Sequence, residues 1–245
     1  MNKETRTIAF FVLVFGILHS FSLWSYFSPA LAPIFYLFLL GASAIFVLRV
    51  PHLSAIPVVL NLLLDSSGHL FEWHDISLRL ALLVLALFGW FYSAVKERRL
   101  KSQLDNPYSY ALVFISIAVL FASYNGIMQG HAVRSVIADA IPFTYLTLFY
   151  PLRNLFSTKL NRHSYEILAA SYIGAALLSL LILYLFSSGT VELQEPLYKW
   201  FRDIVAGKVT GTGSGFFRVV TPLHLLLAAL LPYFTLLTWK KNKIA

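Results

Sequence analysis

Arg134 and Asp139 lie inside an apolar run long enough to cross a bilayer, and Arg218 stands at the mouth of another. A charge at membrane depth is costly, so such groups face a cavity or a partner. The two residues are five apart, and an intrahelical ion pair favours a spacing of four. Asp139 therefore needs a partner elsewhere, while Arg134, just after His131, is close enough to the end of the run to snorkel out. Two readings are open. In one, both charges pair with other helices and hold a bundle together. In the other, Arg134 and Arg218 converge at one membrane face on an anion, since arginine forks suit phosphate or diphosphate.

The remaining polar clusters carry weaker signals. His69, Glu72, His74 and Asp75 are close together, but their spacing matches no zinc motif, and they read as a solvated acidic loop with no metal. His19 and His224 lie within apolar runs and read as packed or hydrogen-bonded side chains. Thr210-Gly-Thr-Gly-Ser-Gly215 lacks the Gly-Lys-Ser/Thr ending of a phosphate loop and reads as a flexible linker. With no cysteine in the chain, disulfides, thiolate metal sites and cysteine nucleophiles are excluded.

These residues must be positioned by membrane helices. Hydrophobic residues make up 58% of the 245 and charged residues only 12%, against roughly 25% in soluble domains; mean hydropathy is +0.73. The net charge of +8 is spread between apolar runs, which fits membrane topology better than a nucleic-acid stripe. Clear spans cover 7–27, 30–48, 76–95, 109–128, 132–152, 167–186 and 219–239. The first lacks a small-residue cleavage site and reads as a retained span. The segment 50–70 has a short apolar core broken by Pro57 and Asn61.

Charge decides whether that segment crosses. If it does, Lys3, Arg6, Arg49, Lys96, Arg98, Arg99, Lys101, Arg153, Lys159, Arg162, Lys240, Lys241 and Lys243, most of the 19 cations, fall on the cytoplasmic side. Asp65, Glu72, Asp75, Glu192, Glu195 and Asp203 then fall outside. The expectation is an all-α, polytopic transmembrane bundle: one domain over 1–245, about eight spans, both termini cytoplasmic, and a third span that is short, tilted or broken at Pro57. Trp24, Tyr26, Phe27, Trp73, Tyr198, Trp200 and Trp239 lie near span ends, as an aromatic belt would. Pro142 predicts a kink in the sixth span that frees carbonyls, and Asn125-Gly126 with Gly130 predicts a turn at the outer end of the fifth.

The longest joint, 187–218, is an outer loop in this topology. Leu197, Trp200, Phe201, Ile204 and Val205 recur on one helical face, Lys199, Arg202 and Asp203 take the other, and Pro196 suits a first turn. Two readings remain: a helix lying on the outer membrane surface, or a helix packed over the bundle.

The stretch Tyr124-Asn-Gly-Ile-Met-Gln-Gly-His-Ala-Val-Arg134, continuing through Asp139 and Ile141-Pro-Phe-Thr-Tyr-Leu to Tyr150-Pro-Leu-Arg153, resembles the O-antigen ligase and O-antigen polymerase superfamily of bacterial membrane glycosyltransferases. So does Gly213-Ser-Gly-Phe-Phe-Arg218. The resemblance covers about half the chain, from Tyr124 to Leu231. It implies a multi-pass protein of the bacterial inner membrane that takes a glycan from an undecaprenyl-diphosphate carrier at the periplasmic face in surface polysaccharide synthesis, without metal or other cofactor. It implies Arg134, Arg218 and His131 as catalytic candidates, the arginines on the diphosphate, with Asp139, Arg202 and Trp200 as substrate contacts. Family members usually carry more spans and a large periplasmic loop. The expectation for a chain ending at Ala245 is therefore a truncated product or the N-terminal half of a longer polypeptide. A transporter or flippase and a non-catalytic membrane subunit are the competing readings.

Overall fold

The computed structural model describes residues 3–64, 70–74, 76–156, 161–192, 195–211 and 217–221. Their order is α1 (Lys3–Phe27), α2 (Ala32–Arg49), α3 (Ala55–Leu64), β1 (Glu72–Trp73), β2 (Ile76–Ser77), α4 (Leu78–Lys96), α5 (Leu100–Leu104), α6 (Pro107–Met128), α7 (Val133–Thr144), α8 (Phe149–Phe156), α9 (Asn161–Ser187), α10 (Pro196–Asp203), β3 (Lys208–Gly211) and β4 (Phe217–Val220). Among the described residues, six helical stretches are long and apolar enough to cross a membrane: Thr5–Phe27, Pro29–Arg49, Leu78–Lys96, Pro107–Met128, Val133–Arg153 and Ala169–Ser187. The protein is a helical membrane protein. The third expected span is a short apolar helix, Pro51–Leu62. The eighth, with His224, lies outside the described residues beyond its first residues.

Proline sets several boundaries. Ser28 and Val50 each precede a proline and leave the helical region, at φ −132° and −135°, which ends α1 and α2. Pro107 and Pro196 occupy first turns, where no N–H is missed. Asn106 caps α6, its side chain accepting from the Ser109 N–H at 3.0 Å. Pro142 sits inside α7, which gives way after Thr144 to a 3₁₀ turn, Tyr145–Leu148. Carbonyls at this joint find hydroxyl donors: Thr144 Oγ1 donates to Ile141 at 2.6 Å and Thr147 Oγ1 to Thr144 at 2.5 Å. The helix thus runs through Pro142 and changes to a 3₁₀ turn after Thr144, and side chains meet part of the hydrogen-bonding need there.

The described chain forms two compact units. The first comprises residues 1–40, 59–79 and 160–245. In it α1 packs along α9 on a face of small residues, Ala170, Ser171, Gly174 and Ala175, all buried. A methyl placed on Gly174 would sit 2.6 Å from the Phe15 ring, so the two backbones approach as closely as glycine allows. Without a hydrophobic force between helices in lipid, such close packing is what holds them together.

The second unit comprises 41–58 and 80–159. Its centre is α4, whose residues Leu82, Leu83, Ala86, Gly89, Trp90, Ser93 and Ala94 form a buried stripe. Ser54 Oγ donates to the Ala86 carbonyl at 2.8 Å, and a methyl on Gly89 would meet Ser54 Cβ at 2.6 Å. Trp90 stacks on Tyr150 at 4.9 Å and donates to Gln103 Oε1 at 2.5 Å. The α6 helix is different: Phe114 is 74% and Leu120 70% exposed, and the whole helix presents apolar side chains outward. In lipid those side chains are at home.

The all-α expectation holds, with two short ribbons beside the helices: β1 pairs with β2 and β3 with β4, each antiparallel. Two expectations of detail are corrected. Val219 and Val220 belong to β4 rather than to the opening turn of a span, because β-branched residues favour a pleated strand over a helix. Asn125 and Gly126 remain inside α6, and the turn falls at Gln129 and Gly130. The signal of Asn-Gly for a turn is local, and the helical hydrogen bonds of a long apolar segment in lipid override it.

Candidate functional site

The turn after α6 shapes the site. Gly130 takes φ +86°, a left-handed conformation that glycine adopts without strain. Its N–H bonds the Ile127 carbonyl at 3.0 Å, and the His131 N–H bonds the Gly126 carbonyl at 3.1 Å. This pair of bonds is a Schellman motif, which closes the carboxyl end of α6. It reverses the chain so that α7 runs back along α6. It also lays the His131 ring near Gly126, where an added methyl would be 4.0 Å from His131 Cδ2.

A cavity of about 520 Å³ lies between α6 and α7. Phe114, Ala118, Ala122, Ser123 and Gly126 line it from α6, and Ser135, Asp139 and Phe143 from α7, with His131 at the turn. Ser135, Asp139 and Phe143 recur every four residues and so share one face, about 40° apart per step. Arg134 is about 140° around the helix from Asp139 by the same geometry, and it is absent from the lining. Asp139 is six residues from the start of α7, about 9 Å along its axis. Among the described residues it makes no ion pair or hydrogen bond, and it is exposed to the cavity. A carboxylate so placed would cost roughly 3 kcal/mol against pure lipid. The cavity is where it can keep water or meet a polar ligand.

His131, Arg134 and Asp139 all belong to the second unit, and His131 and Asp139 line the same cavity. Arg134 is exposed in the first turn of α7. Sequence reasoning did not single out Ser135, although its spacing of four from Asp139 is the signal that finds it.

Trp200, Arg202 and Arg218 belong to the first unit. Trp200 is 2% and Phe201 0% exposed, and α10 packs on α1. Trp200 Nε1 donates to Ser22 Oγ at 3.2 Å, and Ser22 Oγ donates to the Leu70 carbonyl at 3.0 Å. Trp200 also meets His19 edge-on at 6.5 Å, and His19 stacks on Phe15 and donates from Nδ1 to its carbonyl at 2.9 Å. This helix packs on α1 with Tyr198, Trp200 and Phe201 buried. Trp200 and Tyr198 are both buried, and Tyr198 meets Phe186 of α9 edge-on. Trp200 is thus buried, with its indole N–H engaged by Ser22.

Arg202 is exposed and donates from Nε to the Asp203 carboxylate at 2.7 Å. That bond and charge raise the guanidinium above its usual pKa. Arg218 lies on β4, exposed, directly opposite Thr210 of β3. Of the polar loop, Glu72 and His74 are exposed in the β1–β2 hairpin, while His69 and Asp75 lie outside the described residues, as do 212–216 of the expected linker. The chain matches no protein-family model, no curated protein and no solved structure.

Proposed function

We propose that this chain is a membrane glycosyltransferase of the O-antigen ligase or polymerase type. It would have about eight spans, both termini in the cytoplasm, and reside in a bacterial inner membrane. The observation that carries the reading is the α6–α7 cavity, in which Gly126, His131 and Asp139 of the family-like stretch line one space whose walls are otherwise mostly apolar. In the reaction an acceptor hydroxyl attacks the anomeric carbon of the carrier-linked sugar. The bond from that carbon to the diphosphate oxygen breaks, and the acceptor proton passes to His131 as general base. Arg134 and Arg218 are each a candidate ligand for the departing diphosphate, whose growing negative charge either would stabilise.

The test is transfer of glycan from an undecaprenyl-diphosphate donor in membranes containing the chain. Arg218→Ala and Arg134→Ala are each expected to lower transfer by about 10²–10³, the usual cost of one charge-stabilising donor. His131→Ala is expected to lower it by about 10²–10⁴. Wild-type membranes that transfer nothing, at normal expression, would sink the reading for this chain.

A transporter or flippase is the second reading, and Asp139 favours it. The cavity reaches Phe114, near the middle of α6, so it extends from the turn toward mid-membrane depth. Substrate flux into vesicles that survives Arg218→Ala but is lost in Asp139→Asn would support this reading over the first.

A further inference from the structure

The β3–β4 ribbon sorts its side chains by register. Thr210 pairs with Arg218 and Lys208 with Val220, so Lys208, Thr210 and Arg218 project from one face. Val209 and Val219 pair on the other face, where Val209 is buried. Directly opposed side chains on such a ribbon have Cβ atoms about 5 Å apart, and the diagonal neighbours about 7–8 Å. Lys208, Thr210 and Arg218 are all exposed. Arg202 nearby in sequence is neutralised by Asp203, but neither Lys208 nor Arg218 meets a carboxylate among the described residues. The ribbon therefore presents an ammonium, a hydroxyl and a guanidinium fork within one small area, with no carboxylate partner among the described residues.

We infer that Lys208 and Thr210 act with Arg218 as a phosphate-binding face for a membrane-borne ligand. The guanidinium takes two phosphate oxygens side by side, the ammonium serves as a point charge, and the threonine hydroxyl donates between them. Lys208 and Thr210 are then binding residues; sequence reasoning read Thr210 as the start of a linker and did not single out Lys208. The inference rests on the transferase reading for the identity of the ligand, a carrier diphosphate, and on the ribbon for its chemistry. An anionic lipid headgroup offers the same phosphate chemistry.

The experiment uses the full chain in phosphatidylcholine nanodiscs, titrated with inorganic diphosphate and followed by calorimetry. Lys208→Ala, Thr210→Val and Arg218→Lys are compared with wild type. All three sites are exposed, and unchanged far-UV circular dichroism confirms that each variant is folded. Each substitution is expected to raise Kd by about tenfold, with Arg218→Lys weaker than wild type although the charge is kept. In a second arm, phosphatidylglycerol nanodiscs without diphosphate are compared for thermal stabilisation. A stabilisation that depends on the same three residues identifies a headgroup as the source and also supports a phosphate face. Absence of diphosphate binding and of phosphatidylglycerol stabilisation in wild type overturns the inference, and so does indifference of both to Lys208→Ala and Thr210→Val. Glycan transfer that needs Arg218 while the other two residues leave Kd unchanged overturns this inference alone. Diphosphate binding governed by all three residues, in a chain that transfers no glycan, overturns the transferase reading and leaves the phosphate face standing.

Discussion

At the scale of single residues, Gly130 and Trp200 do more than their neighbours. Gly130 holds φ +86°, and an alanine there must adopt a left-handed conformation that costs about 1–2 kcal/mol. Gly130→Ala is expected to lower the unfolding midpoint in detergent and, by shifting the turn that carries His131, to reduce activity along with it. A midpoint equal to wild type would mean that the turn does not depend on glycine. Trp200→Phe keeps an aromatic ring, though a smaller one, and removes the N–H that reaches Ser22. The expected loss is about 1 kcal/mol, read as faster proteolysis of the 187–218 loop with little change in the rest of the bundle. Arg134 and Asp139 were visible in the sequence because a charge in an apolar run stands out. Ser135 was not, because serine is common in membrane helices and only the spacing of four from Asp139 marks it. The burial of Trp200 was also illegible: an aromatic at a span end suits an interface and a packed corner equally well.

At the scale of elements, the long helices could be read directly from apolar runs, and the six membrane-length helices agree with the expected spans to within a few residues. The ribbons could not. Strands of two and four residues are too short to show a period of two, and Gly-rich flanks read as linker. Packing between helices was equally hidden, since nothing in a run of apolar residues says which glycine touches a neighbour. Gly174 does so against Phe15. Gly174→Leu is expected to separate α1 from α9 and destabilise the fold by about 1–3 kcal/mol, while Gly41→Leu, at a site with open space around it, is expected to be nearly neutral. Thermal unfolding of both variants in the same detergent checks the contrast. Equal midpoints would mean that α1 and α9 do not depend on that close approach.

At the scale of the whole molecule, the open matter is which segments cross. Eight spans require the 50–70 segment to traverse the bilayer although its helix α3 has only 10 residues, about 15 Å of rise against a core of about 30 Å. The positive-inside argument and the length argument pull in opposite directions here. Because the chain has no cysteine, single introduced cysteines report sidedness without a background. Labelling of intact cells with a membrane-impermeant maleimide is expected to modify Lys199→Cys and to spare Lys101→Cys. Modification of Lys101→Cys would place the Lys96–Lys101 cluster outside and reduce the number of crossings before it by one.

The Ser22 hydroxyl has a consequence for how the protein is made. It accepts from Trp200, 178 residues later in the chain, and donates to Leu70, 48 residues later. At a synthesis rate of about 5–20 residues per second, the first span waits roughly 9–36 seconds before the indole that completes its hydrogen bonds has been translated. During that interval α1 resides in the bilayer with its Ser22 contact unfinished, and until residues 161–187 have been made its face for α9 is bare as well. Lipid covers that face in the meantime, so the first helix is inserted long before the partners that fix its packing exist.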